Sequence, residues 1–357
     1  MPQGGPRGPA FDPVPLRRRV DEVLAEFADR ESALLEAVDP ELAPVAEVLR
    51  DTAATGKRLR AAFCYWGWRG AFRGDGDDIV RASAALELVH AAACVHDDLI
   101  DRSAVRHGRA TAHRSLGDAR PDTGPALALL VGDLLISWSG QLFTDCGLPA
   151  AYLNRARPLW AALARELVAG ECLEVLRTRR GTAVPDPADS LKVIRYKTAK
   201  YTVEHPLHIG GLLAGAPPAL LEAYSAYGIP LGEAFQLRDD LLGVFGSPEA
   251  TGKSNLDDLT GAKPTVLLAL TMAAATDAER LELRALLDHP SPGGGELLRY
   301  RELAEATGAR EGVEELIVER AARAARAVET ARAARLLAPD AADALHTLAA
   351  RSLSRTA

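Results

Sequence analysis

Residues 80–95 read VRASAALELVHAAACV, and the run closes in HDDLID at 96–101. It holds no Gly or Pro and is rich in Ala and Leu, which predicts a helix meant for burial. Three carboxylates, Asp97, Asp98 and Asp101, stand at its C-terminal end. That end of a helix is already partly negative, so the acids repel both the dipole and one another. A buried helix that ends this way needs cations, and the remainder of the chain must supply or recruit them.

Helical spacing dominates from residue 15 onward. PLRRRVDEVLAEFADRESALLEAV at 15–38, LLEAYSAYGIPLGEAFQLRDDLLGVFG at 220–246 and GVEELIVERAARAARAVETARAARLL at 312–337 place apolar residues three and four apart. Runs of β-branched or aromatic residues with period two are absent, which disfavours strands. Pro and Gly cluster near residues 115, 181, 215, 289 and 338 without forming a long polar linker. The expectation is a disordered tail over 1–14 and one all-α domain of ten or more helices over 15–357.

The net charge of -7 opposes general nucleic-acid binding, which needs an excess of Lys and Arg facing phosphate. The Arg-rich stretch 312–336 therefore reads as a helix with a solvated basic face. Residues 1–15 carry Pro and Gly where a signal peptide needs an apolar core. No uninterrupted apolar stretch reaches the roughly 20 residues of a transmembrane segment. Cys64, Cys94, Cys146 and Cys172 lie scattered in apolar helical stretches without CxxC spacing. They read as reduced structural thiols in a soluble, cytoplasmic protein.

Asp97 and Asp101 are four apart and share a helical face, with Asp98 about 100° around. Oxygen donors without imidazole or thiolate suit Mg2+, which binds through carboxylates and substrate phosphates. A second acidic helix end, Asp239 and Asp240 in FQLRDDLLG, doubles the motif. Basic residues supply the counterpart: Lys57 and Arg60, expected on one helical face; Arg106, His107 and Arg109; Lys197 beside Thr198; and Lys253 and Lys263. Together they suggest two anion sites, one bridged by metal and one held by Lys and Arg alone.

GKRLR, ELVHAAACVHDDLIDRSAVRHGRATAH, GDLL at 132–135, YKTAKY, FQLRDDLLG and GK…DDL…GAKPT occur in an order that resembles the trans-polyprenyl diphosphate synthase family. The flavour is most like an actinobacterial-type geranylgeranyl diphosphate synthase, and the likeness spans about residues 55–270. The resemblance implies an all-α, isoprenoid-synthase-type helical bundle around a central cavity, usually a homodimer. It implies an enzyme that condenses isopentenyl diphosphate with an allylic diphosphate (dimethylallyl, geranyl or farnesyl), using three Mg2+ ions. By the same resemblance Asp97 and Asp101 hold two ions on the allylic diphosphate, Asp98 supports them, and Asp239, beside Asp240, holds the third. Arg106, Lys197 and Lys253 would contact that diphosphate. Lys57, Arg60 and His90 would hold isopentenyl diphosphate with His107 assisting. Thr198 and Gln236 would line the reaction zone, and Lys263 would belong to the closing segment.

The chain departs from the family pattern at His107, where Arg is usual, at Gly243, where a third Asp is usual, and at Leu256 and Pro264. A terpene cyclase on the same scaffold and a non-catalytic modulating subunit are the alternative readings. Lys57, Arg60 and His90 favour a synthase over the first, and the intact aspartates oppose the second. Below Asp97 the rungs Ala93, Val89 and Leu86 are expected to line the growing chain, with Ala92 and Ala93 small enough to let it pass farnesyl length. Trp138 is the candidate floor.

Overall fold

The computed structural model describes residues 14–106, 108–117, 122–178, 185–246, 263–289 and 293–354. His107 and Lys253 lie outside the described residues, as do Leu256 and the tail residues 1–13. The architecture is all-α, as the spacing predicts. The first half comprises α1 (Val14–Glu36), α2 (Ala43–Ala54), α3 (Leu59–Gly70), α4 (Asp77–Asp101), α5 (Ala112–Ser115), α6 (Gly124–Thr144) and α7 (Ala150–Thr178). Then come α8 (Pro187–Ile194), a π-helical segment (Arg195–Glu204), α9 (His205–Ala214) and α10 (Pro218–Phe245). The remainder comprises α11 (Val266–Ala274), α12 (Asp277–Leu287), α13 (Gly294–Ala306), α14 (Ala309–Ala333) and α15 (Pro339–Leu353).

One small departure from all-helix is a hairpin of two-residue strands, β1 (Val105–Arg106) and β2 (Arg109–Ala110). The strands are too short to show period two in sequence. Gly108, at φ 76°, supplies the left-handed turn residue between them.

α4 is buried along most of its length, from Ile79 to Asp98, and packs on α3 and α6. α10 runs through both apolar clusters of the core. Tyr224, Tyr227 and Leu231 belong to the cluster around α3 and α4, and Leu237, Leu241 and Val244 to the one built with α11, α13 and α14. α4 and α6 each have the length and composition of a membrane-crossing helix, although Arg81 and Glu87 interrupt the apolar run of α4 and Asp133 that of α6. In α4, 72% of the qualifying window is inside the protein, which marks a core helix; in α6 only 44% is. The four thiols are free: Cys64 and Cys146 are buried, Cys94 is half-buried, and Cys172 is exposed. Cys172 therefore departs from the small-hydrophobe reading.

The π segment, invisible to a 3.6-residue analysis, is wider than an α-helix and its neighbours yield to it through glycine. A Cβ on Gly232 of α10 would lie 2.4 Å from Ala199 Cα, and one on Gly170 of α7 would lie 2.5 Å from Lys197 N. Gly232→Ala should therefore destabilise the fold by about 1–3 kcal/mol. Gly312→Ala on α14, whose Cβ would meet only Leu270 Cδ1 at 3.5 Å, should be neutral or stabilise by up to about 1 kcal/mol. Urea unfolding of the two variants checks the contrast.

Candidate active site

The cations required by the end of α4 arrive from three directions. Just past the helix, Arg102 adopts the left-handed conformation and its N–H caps Asp98 O. The β1–β2 hairpin then turns the chain back, zipped by Thr111 Oγ1 donating to Ser103 O at 2.7 Å. This places Arg106 on the helix end, with Nε donating to Asp98 Oδ2 at 2.7 Å and Nη2 to Asp97 Oδ2 at 2.8 Å. From the π segment, Lys197 Nζ reaches Asp97 Oδ1 at 3.0 Å, Glu171 Oε2 at 2.9 Å and Glu174 Oε1 at 3.0 Å. Lys263 Nζ lies 2.6 Å from Asp101 Oδ2 and 3.6 Å from Glu174 Oε1.

Glu171 and Glu174 were not singled out in the sequence. On an amphipathic helix an acidic pair three apart looks like a solvated face. The available signal was GECLE, whose acidic spacing sits beside Gly170, the residue that lets the π segment approach. Among the described residues, Asp97, Asp98, Asp101, Glu171 and Glu174 thus share Arg106, Lys197 and Lys263. Negative charge is in excess. Burial works against the charged form of Lys197, yet Asp97 and Glu174 outweigh it and hold the ammonium above the ordinary lysine range. For Glu171, burial pushes the carboxyl up; Lys197 opposes this and Asp97 adds to it.

A second basic region lies about one turn further along the π segment. Arg60, buried on α3, donates through Nη2 to Thr202 Oγ1 at 2.8 Å, and its guanidinium stands 4.2 Å from the Tyr201 ring centre. Tyr201 OH is 3.1 Å from Nδ1 of His90 on α4. Lys57 is exposed and precedes α3, which starts at Leu59. It does not share a helical face with Arg60, because Arg58 takes the left-handed conformation (φ 58°) at the cap and interrupts the expected helix. The buried Arg58 side chain instead fixes this loop by donating to Asp21 Oδ1, Thr55 O and Ala53 O.

Between the two regions Thr198 Oγ1 donates to Gln236 Oε1 at 2.8 Å, and Gln236 Nε2 donates to Asp240 Oδ1 at 2.8 Å. Asp240 is buried and Asp239 half-buried near the end of α10. Among the described residues no three carboxylates, imidazoles or thiols converge on one metal-sized point. The donor set still fits Mg2+ in kind, being all hard oxygen. Lys197 and Lys263 already bridge carboxylates of α4 and α7, as a divalent ion would.

The chain matches the polyprenyl synthetase family over residues 43–297. It is 34% identical over 258 residues to (2E,6E)-farnesyl diphosphate synthase of Mycobacterium tuberculosis, covering 71% of this chain and 68% of that protein. It is 30% identical over 272 residues to octaprenyl diphosphate synthase of Escherichia coli, covering 75% and 78%. Among solved structures it superposes with a TM-score of 0.90 on geranylgeranyl pyrophosphate synthase from Corynebacterium glutamicum, complexed with isoprenyl diphosphate and magnesium. That likeness is at 30% identity and covers 97% of this chain and 100% of the other.

Lys197→Met removes the cation shared by Asp97, Glu171 and Glu174. Stability should fall by roughly 3 kcal/mol, with millimolar Mg2+ restoring more of it than it adds to the parent. Asp97→Asn should cost less, because Arg106 and Lys197 each keep another carboxylate. Thermal unfolding with and without Mg2+ checks this, and a Lys197→Met variant indifferent to Mg2+ would contradict it.

Proposed function

The chain belongs to the polyprenyl synthetase family and is a trans-prenyltransferase, and from that premise we propose that it makes geranylgeranyl diphosphate from isopentenyl diphosphate and an allylic primer. The observation that carries the site assignment is the span of one π segment. Lys197 meets the acidic end of α4, Thr198 meets Gln236, and Tyr201 and Thr202 meet His90 and Arg60. Two differently charged regions are thereby held a turn apart, which a condensation of two diphosphates requires.

In this reading Arg106, Lys197 and Lys253 take the allylic diphosphate. Arg60 and His90, with Lys57 and His107 at the loops, hold isopentenyl diphosphate. Asp97, Asp101 and Asp239, supported by Asp98 and Asp240, hold Mg2+, for which three ions are proposed. Bound there, Mg2+ supplies Lewis acidity toward the leaving diphosphate. As the allylic C–O bond breaks, Arg106 and Lys197 offset the charge gathering on the departing oxygens. Thr198 and Gln236 border the reacting carbons, and Lys263, tied to Asp101, closes the mouth. Buried walls keep out water, which would quench an allylic cation. Arg60 and His90 favour this over a cyclase, which has no second diphosphate to hold.

The named relatives make farnesyl, geranylgeranyl and octaprenyl products, so product length rests on the wall below Asp97. Ala93 is half-buried, and Val89 and Leu86 follow it into the core. Each turn descends about 5.4 Å, near the reach of one isoprene unit. Ala92 is fully buried and is not proposed as wall. Trp138, edge-on to Phe27 at 6.0 Å, is the proposed floor.

A homodimer is also proposed. α6 exposes Leu129, Leu130 and Ile136, and α7 exposes Val168 and Leu176 while burying only Ala156, Leu163 and Gly170. Such apolar exposure suits a second copy of the chain. The scattered free thiols support a cytoplasmic location.

The test is incubation with Mg2+, isopentenyl diphosphate and each allylic primer in turn, with products resolved by length. Asp97→Ala and Asp101→Ala should lower turnover at least about a thousandfold without unfolding the chain. Normal turnover in either, or a cyclised hydrocarbon as product, would contradict the proposal. Ala93→Phe should shorten the main product by one or more five-carbon units, and an unchanged length would remove the basis for the geranylgeranyl assignment.

A further inference from the structure

Arg195 opens the π segment, two residues before Lys197 and three before Thr198. Its Nε and Nη2 donate to Glu233 Oε1 at 3.0 and 2.8 Å. The other carboxylate oxygen of Glu233 accepts from Arg320 Nε of α14 at 2.9 Å. Glu233 and Arg320 are buried, whereas the Arg195 side chain is 50% exposed. Glu233 stands on α10 three residues before Gln236, so Arg195–Glu233 and Thr198–Gln236 are successive rungs between the same two elements. At the far end of the segment Ser225 Oγ of α10 donates to Glu204 Oε1 at 2.6 Å.

A π-helix is rare beyond a single turn, because its wider ring packs less well than the α form. Ten residues of it need an external reason to persist. Reversion to α winding by one residue would turn Lys197 and Thr198 by about 100°, away from Asp97 and Gln236. Ties at both ends of the segment oppose that rotation. The buried Arg320–Glu233 pair holds the carboxylate still with or without Arg195. A half-exposed arginine joined to it adds little to global stability, but it can select the winding.

We propose that Arg195 is a positioning residue: through Glu233, anchored by Arg320, it fixes the register in which the π segment presents Lys197 to Asp97 and Thr198 to Gln236. The proposal rests on the prenyl-transfer reading of the site. Neither Arg195 nor Glu233 touches the reacting groups, so both act through Lys197, Thr198 and Gln236.

The experiment compares the full-length parent with Arg195→Met, Arg195→Lys and Arg320→Met. It follows kcat and KM for both diphosphates, Tm, and amide hydrogen exchange over residues 196–204. Arg195→Met should lower kcat about tenfold or more at nearly unchanged Tm and speed exchange over 196–204, and Arg195→Lys should recover part of both. Arg320→Met should lower Tm and, by releasing the carboxylate that Arg195 is tied to, also lower kcat severalfold and speed exchange over 196–204. If Arg320→Met does not fold, Arg195→Met alone decides. The proposal is overturned if Arg195→Met keeps kcat and exchange at parental values, or loses kcat without a change in exchange. A parent that condenses none of the allylic primers would instead sink the functional reading, and exchange over 196–204 would still decide whether the tie exists.

Discussion

Three carboxylates at the C-terminal end of a buried helix form an arrangement that cannot stand alone. The helix dipole and the mutual repulsion of Asp97, Asp98 and Asp101 both oppose it, and burial raises the cost of each uncompensated charge. The surrounding fold answers that requirement. The β1–β2 hairpin exists to return Arg106, the π segment delivers Lys197, and the chain entering α11 delivers Lys263. Glu171 and Glu174 add further negative charge, so among the described residues Arg106, Lys197 and Lys263 do not close the balance. Under the proposed function a divalent metal would take up the remaining negative charge, and the metal would in turn favour a polyanion.

The π segment converts this local electrostatic problem into chemistry. Over six residues, Lys197 to Thr202, it touches the acidic region, the amide of Gln236 and the Arg60–His90 region. Its width is accommodated by Gly170 and Gly232, and its ends are tied to α10 by Arg195 and Glu204. α10 carries Glu233, Gln236, Asp239 and Asp240 in successive turns, so the second acidic end and the π segment share one rigid support.

Much of this was legible in the residues. The Ala/Leu-rich run before HDDLID announces α4, and the motifs around Arg106, Lys197 and Lys263 mark them as cations without showing their partners. The aspartates and lysines that meet are separated by up to 162 residues, and only the family resemblance joins them in advance. Local periodicity failed where the backbone leaves regular winding. The spacing of TGKRLR puts Lys57 on a helical face because nothing in it announces the left-handed Arg58 that delays α3. The π segment keeps an ordinary helical composition, so a 3.6-residue analysis reads through it. Glu171 and Glu174 do not stand out, because solvated and ion-paired acids look alike in sequence until Lys197 is seen between them.

The central claim is that the acidic end of α4 couples metal to diphosphate, and calorimetric titration with inorganic pyrophosphate tests it most directly. With Mg2+ present, pyrophosphate should bind at least about tenfold more tightly than in a chelator, and Mg2+ should bind more tightly by the same factor when pyrophosphate is present. Equal pyrophosphate affinity with and without Mg2+ would contradict the account, because Arg106, Lys197 and Lys263 would then be free to bind the anion without any exchange of partners at Asp97, Asp98 and Asp101.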